Sequence, residues 1–402
     1  MNNFINEHIT IEEISKIASD LVKIKSYSNM ENQEQGVAEY IHGIFQREGI
    51  ESELIIVEKG RPNVNAAIRG TGGGKSLMLT GHTDTVPSYG MENAFSGEIS
   101  KGVLYGRGAC DMKGALASMI CTMIGMKRAG IKLKGDLHFT GIIDEEEQGK
   151  GVLHLIKNGP FVDGAIIGEP TNMRLATGNK GLEWIEIEVI GKKVHAGEMK
   201  KGINAISKAA KLISKIEKDY IPVLNSRVHH LLGNPTLNFG TINGGDQPST
   251  VPDSCIIKID RRWLPSETQE SVYGELRQIV LDMKEEDPEF SAIVRDVFES
   301  EKILPHKPFF TQNDDDLVKE IQLAMDSINA DGQRYIREPL GFPAWTDAGY
   351  LSNYTEASCV ILGPGELAFA HSIHDSVKLA DLYAATLLYG EIAINFCNQP
   401  CK

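Results

Sequence analysis

The sequence predicts an α/β fold with a mostly parallel main sheet, into which a smaller α+β domain is inserted. Wholly apolar strands alternate with helices at both ends of the chain, which is typical of a sheet covered on both faces. Between these regions, strands with one apolar and one polar face follow the order βαββαβ of a ferredoxin-like unit. The length of 402 residues also favours two domains. The predicted main domain comprises residues 1–180 and 303–402, and the insertion comprises residues 181–302.

The first part of the chain supplies helices and buried strands in alternation. The first helix is predicted to begin at Thr10, because Thr10 and Glu13 have the spacing of a capping box. A second helix is predicted near residues 34–48. A third, over about 113–128, has its apolar residues at intervals of three and four, and therefore on one face. The predicted strands of this part cover residues 53–57, 63–69, 76–80, 137–143 and 164–168.

The pattern changes in the middle of the chain and changes back near residue 305. The strand at 183–190 alternates apolar and charged residues, which indicates an antiparallel sheet with one solvated face. Towards the end, a buried strand at 358–362 and a closing helix near 378–396 again show the pattern of apolar strands alternating with helices. The other elements predicted in the insertion are helices at 203–217 and 267–285 and strands at 236–242, 255–260 and 290–298.

The composition argues against several classes of partner. A formal net charge of −14 at pH 7 does not suit nucleic acids or anionic membranes as partners, because both demand a basic surface. No run of about 18 apolar residues predicts a membrane span, and the amino-terminal segment lacks the pattern of a secretory signal. Six cysteines without a CxxC pair indicate free thiols in a reducing compartment. We therefore expect a soluble, cytoplasmic protein.

Five segments with chemically active side chains follow predicted strands, where open α/β sheets place their sites. The first, LTGHTDTVP at residues 79–87, places His82 and Asp84 two positions apart in an extended stretch, so both point to one side. A neighbouring carboxylate or carbonyl commonly fixes the tautomer of a metal-bound histidine. A plain polar turn before Pro87 is the alternative.

The second and third segments bring further carboxylates. Asp111 lies among glycines at the start of a helix, where it is either a metal ligand or a helix N-cap. The run from Asp144 to Glu147 crowds four acids at the end of an apolar strand, which raises their pKa values unless cations neutralise them. A solvated acidic loop is the alternative for this run.

The fourth and fifth segments complete the set. Glu169 directly follows a buried strand, and His371 and His374 follow a strand and a Gly-Pro-Gly turn. A surface position is the alternative for either histidine. Taken together, imidazole and carboxylate ligands suit Zn²⁺, with Mn²⁺ or Co²⁺ as alternatives. The carboxylates are too many for one zinc ion, so two metal ions with a shared carboxylate are the economical interpretation.

As an ordered set, these motifs resemble the acetylornithine deacetylase and succinyl-diaminopimelate desuccinylase family of two-metal hydrolases. That family also contains aminoacylases, glutamate carboxypeptidases and dipeptidases, and the resemblance runs over nearly the whole chain. It implies a zinc-exopeptidase-like catalytic domain with an inserted lid and dimerisation domain. It also implies two metal ions, one held by His82 and Glu169 and the other by Glu146 and His371, with Asp111 bridging both.

The same resemblance implies roles for residues around the metal ions. Glu145 would be the general base, and Asp84 would orient His82. The family pattern also implies a cis peptide bond after Asp111. In the insertion, GKKVHAG is similar to a segment whose histidine reaches the partner subunit's active site, so that His195 would help stabilise the oxyanion. An ordinary histidine at a strand end is the alternative.

Substrate contacts are implied less directly. The segment IDRRWLP at 259–265 resembles one whose arginine grips the substrate carboxylate, a role that fits Arg262, with Arg261 as its outward neighbour. Thr346 and Asn204 are further substrate contacts implied by the resemblance. The chain departs from the family pattern at three positions that shape the substrate pocket in relatives, namely Ser249, Ala344 and Trp345.

The resemblance implies hydrolysis of an amide bond in a small carboxylate-bearing substrate, namely deacylation of an N-acyl amino acid. A dipeptidase or carboxypeptidase with the same two metal ions is the nearest alternative, and the motifs do not separate the two. A non-catalytic, metal-dependent binding protein is an alternative of another class, against which the complete ligand set counts. The expected partners are an N-acyl amino acid or dipeptide and a second copy of the chain, joined through the inserted domain.

Overall fold

The computed structural model describes residues 4–297, 303–329 and 335–401. These residues form two compact units. The first contains the described residues up to Gly178 together with 310–342 and from Thr346 onwards, and the second contains 179–309 and 343–345. The second unit thus extends a few residues beyond the predicted insertion and includes a short separate segment, 343–345, that no local pattern indicated.

The first unit begins with helices and strands in alternation. Thr10 caps the first helix by accepting a hydrogen bond from the Glu13 N–H at 3.2 Å. The Glu13 side chain binds Arg128 instead of completing the predicted capping box. The helices are α1 (Ile11–Lys23), α2 (Gln35–Arg47), α3 (Gly114–Arg128) and α4 (Lys150–Asn158). The strands are β1 (Glu51–Glu58), β2 (Arg61–Ile68), β3 (Leu77–His82), β4 (Glu98–Ser100), β5 (Val103–Tyr105), β6 (Leu137–Ile142), β7 (Gly164–Ile167) and β8 (Ala176–Asn179).

The second unit is built on a four-stranded antiparallel sheet with the order β11-β13-β9-β14. Alternate residues of its inner strand β9 are buried at Ile185, Ile187 and Val189, so one face of the sheet is apolar. The helices are α5 (Ala205–Lys215), α6 (Ile221–Ser226) and α7 (Gln269–Glu286). The strands are β9 (Gly181–Ile190), β10 (Val194–His195), β11 (Thr236–Gly244), β12 (Thr250–Val251), β13 (Ser254–Trp263) and β14 (Ala292–Asp296).

The chain leaves the second unit at Phe309, within the short strand β15 (Phe309–Phe310), and then completes the first unit. The helices are α8 (Asp316–Asn329), α9 (Ala348–Tyr354) and α10 (Leu379–Cys397). The strands are β15 (Phe309–Phe310), β16 (Leu340–Phe342), β17 (Ser358–Ile361) and β18 (Ser376–Lys378). Short 3-10 or π-helical turns occur at Phe4–Glu7, Ala109–Lys113, Ala196–Lys201, Ile216–Tyr220 and Leu367–Phe369.

The main sheet has the order β1-β2-β6-β3-β7-β17-β8-β15, with β16 paired to β8. Its central strands β6, β3, β7 and β17 are parallel, whereas β1, β2 and β8 join antiparallel. This arrangement confirms the predicted fold class. Because parallel strands end at one edge, the segments after His82, Ile142, Ile167 and Ile361 begin at the same edge of the sheet.

Helix α3 differs from its prediction as a helix with one apolar face. Its residues from Gly114 to Met126 are all buried, because α1 and α10 pack against it as well as the sheet. Its two hydroxyl-bearing residues donate hydrogen bonds to α10, from Ser118 to the Leu382 carbonyl and from Thr122 to the Thr386 carbonyl, both at 2.9 Å. The central helix of the unit is therefore enclosed on every side.

A small three-stranded sheet of β4, β5 and β18 was not predicted from the sequence. In it, Ser376 pairs with Tyr105 and Lys378 pairs with Val103. This pairing brings the residues just after β5 next to those just before β18. Among the described residues, no helix combines the length and apolar character needed to cross a membrane, and the six cysteines are free thiols.

Candidate metal centre

The predicted ligands lie in segments that leave the carboxyl edge of the main sheet or enter α3. His82 is the last residue of β3, and Glu169 comes two residues after β7. Asp111 lies in the segment Ala109–Lys113 before α3, where its own backbone is not helical, and the Asp111–Met112 peptide bond is cis, which confirms the expectation from the family pattern. His82 and Asp111 are both buried, at 1% and 7% exposure.

Asp111 lies between two imidazoles. Its Oδ1 is 3.0 Å from His82 Nε2, and its Oδ2 is 3.3 Å from His371 Nε2. Each oxygen of the carboxyl group therefore faces a different histidine. A carboxylate in this position can bridge two metal ions, one on each side.

The remaining predicted ligands lie beside the two histidines. Glu146 Oε1 is 3.0 Å from His371 Nε2, and Glu169 Oε1 is 3.9 Å from His82 Nε2. Among the described residues, two groups of three side chains have ligand atoms that all lie within 4.8 Å of one another. They are His82 with Glu145 and Glu169, and His82 with Asp111 and Glu146. The donors are imidazole nitrogens and carboxylate oxygens, a set that fits Zn²⁺, Co²⁺ or Mn²⁺.

Three glutamates of the centre have raised pKa values, because their surroundings disfavour the ionised form. Burial raises the pKa of Glu145 and Glu169 well above the usual range, and the neighbouring charges of Glu169 and Asp111, respectively, raise them further. Burial also raises the pKa of Glu146. Although burial opposes its ionisation, Asp111 has a lowered pKa because His371 and His82 bind it. A bound divalent cation would favour the ionised carboxylates, so the charge pattern fits a metal site.

Asp84 contacts the acidic loop more closely than the imidazole. Its two carboxylate oxygens accept the backbone N–H groups of Glu145 at 3.2 Å and Glu146 at 3.0 Å. Nδ1 of His82 lies 3.0 Å from the backbone carbonyl oxygen of Asp84 and 3.6 Å from the nearest carboxylate oxygen of the same residue. Asp84 therefore fixes the acidic loop as well as the tautomer of His82.

Two residues of this region were missed in the sequence. Arg61 binds Asp144 at 2.7 Å and Glu34 at 2.5 Å, and so anchors the acidic loop from the neighbouring strand β2. No local pattern linked Arg61 to a residue 83 positions away. Asp347 is buried beside the predicted Thr346, and burial raises its pKa to about 8. Its Oδ1 has no hydrogen-bond partner among the residues that the structure describes.

Thr346 and Asn204 have local structural contacts. Thr346 is buried, and its hydroxyl oxygen accepts the Ala348 N–H at the start of α9. Asn204 caps α5, because its side-chain oxygen accepts the Ser207 N–H at 3.0 Å. These contacts account for both residues without a substrate, so their predicted substrate contacts stay predictions.

His195 lies in the second unit on the two-residue strand β10, paired with Thr250 of β12. Its Nδ1 accepts the Gly197 N–H at 3.1 Å. The proton of the neutral ring is therefore on Nε2, which can act as a hydrogen-bond donor. The departure at Ser249 lies next to this pair, where the Ser249 carbonyl accepts the Ala196 N–H at 2.9 Å.

The two neighbouring arginines of β13 differ from the prediction. Arg261, predicted as the outward neighbour, is fully buried and binds Glu267 at 2.5 Å, which corrects that prediction. The reason is the strand alternation, since Arg261 lies opposite Glu183 on the buried face of the sheet. Arg262 is partly exposed and already binds Asp260, with Nε 2.7 Å and Nη2 3.0 Å from its two oxygens.

Comparison with known proteins shows similarity to one family of peptidases and related hydrolases. The pattern of peptidase family M20/M25/M40 matches residues 78–395. The chain is 27% identical to the N-formyl-4-amino-5-aminomethyl-2-methylpyrimidine deformylase of Bacillus subtilis, over 96% of the chain and 95% of that protein. It is 28% identical to the acetylornithine deacetylase of Myxococcus xanthus, over 87% of the chain and 85% of that protein. The solved structure of aminopeptidase PepT from Bacillus cereus shares the fold, with a TM-score of 0.79 and 20% identity, over 97% of this chain and 99% of that one.

Proposed function

Because the chain belongs to peptidase family M20/M25/M40, and is therefore a metal-dependent hydrolase, we propose that it removes the acyl group from a small N-acyl amine, above all an N-acyl amino acid. The position of Asp111 between His82 and His371 is the observation that carries this proposal. A carboxylate that faces one imidazole on each side can bridge two metal ions, which is the arrangement expected of a two-metal hydrolytic site.

The proposed mechanism assigns the proton transfers to Glu145. Bound metal ions, held by His82, Asp111, Glu146, Glu169 and His371, would polarise the amide carbonyl and acidify water. Glu145 takes the proton of that water and gives it to the leaving amine. Its position beside His82 and Glu169, without being one of the assigned ligands, suits this role.

In the proposed dimer, His195 of the partner subunit supplies a donor for the developing negative charge. The Gly197 N–H fixes the protonated nitrogen as Nε2, so the imidazole can donate a hydrogen bond without first changing its tautomer. A neutral donor of this kind stabilises an oxyanion more than the ground-state carbonyl, which lowers the barrier to the tetrahedral intermediate.

The names of the similar proteins favour deacylation over peptide hydrolysis. The deformylase and the deacetylase resemble the chain over at least 85% of their own lengths, at 27% and 28% identity. The peptidase PepT shares the fold at 20% identity. Parallel assays on N-acetyl or N-formyl amino acids and on dipeptides test this preference. Faster turnover of dipeptides would make the chain a dipeptidase instead.

A substrate without a carboxylate is a second candidate, because the arginine expected to bind the carboxylate, Arg262, is already paired with Asp260. Asp260 occupies two of the nitrogens with which Arg262 would grip a carboxylate, so an incoming carboxylate must compete with Asp260. The substrate named for the Bacillus subtilis relative, an N-formylated aminomethylpyrimidine, also has no carboxylate.

The variant Asp260→Asn separates these two substrate classes. If Arg262 binds a substrate carboxylate, removing the competing charge lowers KM for an N-acyl amino acid, by about threefold to tenfold. The matched N-acyl amine without a carboxylate should keep its KM. If the substitution leaves KM unchanged for the N-acyl amino acid as well as for the matched amine, the chain belongs to the second substrate class.

Glu145→Gln tests the mechanism, with Glu147→Gln as its control. The glutamine cannot accept the proton, so we expect kcat to fall by at least about 100-fold while the metal content stays unchanged. Glu147 is the exposed neighbour in the same acidic run, and its variant should retain activity within about twofold. Loss of metal from Glu145→Gln would make Glu145 a ligand, and unchanged turnover would remove it from the mechanism.

We also propose zinc as the native metal and a homodimer formed through the second unit. The ligand set supports zinc, with cobalt or manganese as alternatives. Among the described residues, β11 is an edge strand of the four-stranded sheet and is largely exposed, which supports pairing with a second copy at this edge. Metal analysis of the purified protein and sedimentation at several protein concentrations test these two proposals separately.

A further inference from the structure

We propose that Arg107 and Asp375 are positioning residues that hold three metal-ligand segments in register. They are a fully enclosed ion pair, with side chains exposed at 1% and 0% and Nη1 2.9 Å from Oδ2. Neither residue is a metal ligand in the proposed assignment. The inference rests on the proposed two-metal site, because it concerns the spacing of that site's ligands.

Asp375 binds the segment that carries Asp111. Its Oδ2 accepts the Gly108 N–H at 2.8 Å, and its Oδ1 accepts the Cys110 N–H at 2.8 Å. Cys110 directly precedes Asp111, and Asp375 itself follows His371 by four residues. The carboxylate therefore links the bridging ligand to the loop of the second histidine through two hydrogen bonds to backbone.

Arg107 extends the same link to the segment that carries His82. Its Nε donates to the Pro87 carbonyl at 3.0 Å, and its Nη2 donates to the Ser88 carbonyl at 3.3 Å. These carbonyls follow His82 by five and six residues. One guanidinium and one carboxylate thus join the segment of Asp111 to the segments of His82 and His371, the two histidines that face the carboxylate oxygens of Asp111.

The sheet topology explains why this pair forms. Strands β5 and β18 pair antiparallel, and the Gly106 N–H continues the ladder by donating to the Asp375 carbonyl at 3.1 Å. Arg107 directly follows Gly106, so it lies next to Asp375 at the end of this ladder. A displacement of either strand would therefore move Asp111 and His371 relative to each other.

Mere stabilisation of the fold is the competing explanation for this pair. Buried ion pairs are poor evidence of a stabilising role, because apolar replacements are often as stable. Within the described part of the chain, the two side chains bond to each other and to the backbone of the ligand segments. Partners outside the ligand set commonly change metal affinity by about 10- to 100-fold, which gives the positioning role a measurable signature.

The test measures Co²⁺ binding by visible absorption in the full chain and in Asp375→Asn. We expect the wild type to bind two ions, and the variant to bind with a Kd raised by about 10- to 100-fold and an altered cobalt spectrum. The double variant Arg107→Met/Asp375→Asn removes both charges, so it avoids a lone buried arginine and should still show the weakened binding.

Glu267→Gln is the matched control. It breaks another enclosed pair, between Glu267 and Arg261, which lies in the second unit, whereas the ligand segments belong to the first. It should lower stability while leaving the cobalt Kd within about twofold of the wild type. Unchanged cobalt affinity in both Asp375 variants would overturn the inference and leave the two-metal proposal standing. A wild-type chain that binds fewer than two ions would overturn both.

Discussion

The loop that carries Glu145 and Glu146 is anchored by contacts from outside the metal centre. Asp84 holds its two backbone N–H groups, and Arg61 holds the Asp144 side chain. Asp144 has a positive φ of 69°, and its carbonyl accepts the N–H groups of Gln148 and Gly149, which folds the loop tightly. The direction of each glutamate therefore depends on a small number of charged contacts.

Arg61→Met should strongly destabilise the first unit. Glu34 and Asp144 are exposed at 0% and 1%, so loss of the guanidinium leaves two buried carboxylates without their cation. We expect the free energy of unfolding to fall by roughly 3–5 kcal/mol. Hydrogen exchange of the amides in β2 and β6, measured against urea concentration, gives this value.

Arg69→Met is the control for Arg61. Arg69 directly follows the same strand and also binds two carboxylates, Glu51 and Asp136, but its side chain is 56% exposed. Solvent screens such a pair, so the expected loss is below about 1 kcal/mol. Similar losses from both variants would show that the buried network contributes nothing beyond surface pairing.

At the scale of elements, strand β9 contains a buried acid that makes the second unit sensitive to pH. Glu183 is 4% exposed, and its Oε2 accepts hydrogen bonds from Tyr273 at 3.1 Å and Gln269 at 3.2 Å of helix α7. Its Oε1 has no hydrogen-bond partner within the described part of the chain. Burial raises the pKa of Glu183 from 4.5 to about 7.

The sign of the effect follows from the raised pKa. The unfolded chain releases this proton near pH 4.5, whereas the folded unit keeps it until about pH 7. The second unit is therefore expected to lose stability as pH rises between these values, by on the order of 3 kcal/mol. Glu183→Gln should remove most of this dependence.

Tryptophan fluorescence measures this prediction selectively. All three tryptophans, Trp184, Trp263 and Trp345, belong to the second unit. Urea unfolding at pH 5 and pH 8 should show a smaller difference for Glu183→Gln than for the wild type. A wild-type midpoint that does not fall over this range would contradict the raised pKa of Glu183.

At the scale of the whole molecule, metal binding and fluorescence report on different units. The five proposed ligands belong to the first unit, and the tryptophans belong to the second. Removing metal with a chelator should lower the stability of the first unit, because a ligand that binds only the folded state stabilises it. At about 1,000 times its Kd, such a ligand contributes about 4 kcal/mol.

Hydrogen exchange in α3 and β3 is the appropriate measurement for metal removal. Protection should decrease with chelator and return when Zn²⁺ is added, whereas Mg²⁺ should not restore it, because magnesium prefers oxygen ligands and keeps its waters. Identical protection in the metal-free and zinc-treated protein would argue that no metal binds to the folded first unit.

The sequence by itself determined the fold class, most strands of the main sheet and the set of candidate ligands, but not the small three-stranded sheet. Strand and helix periods are local properties, so the buried strands before His82 and Glu169 could be recognised one segment at a time. Parallel strands end at a common edge, so the convergence of these segments also followed from the order of strands and helices along the chain.

Only the tertiary structure decided which charges pair and which faces are covered. Arg107 and Asp375 lie 268 positions apart, and no spacing rule connects them. The burial of Arg261, the pairing of Arg262 with Asp260 and the enclosure of α3 depend in the same way on which surfaces pack together. Periodicity states how residues are arranged within an element, whereas the partner of a side chain is fixed only when distant elements meet, because ion pairing and burial depend on distance in space.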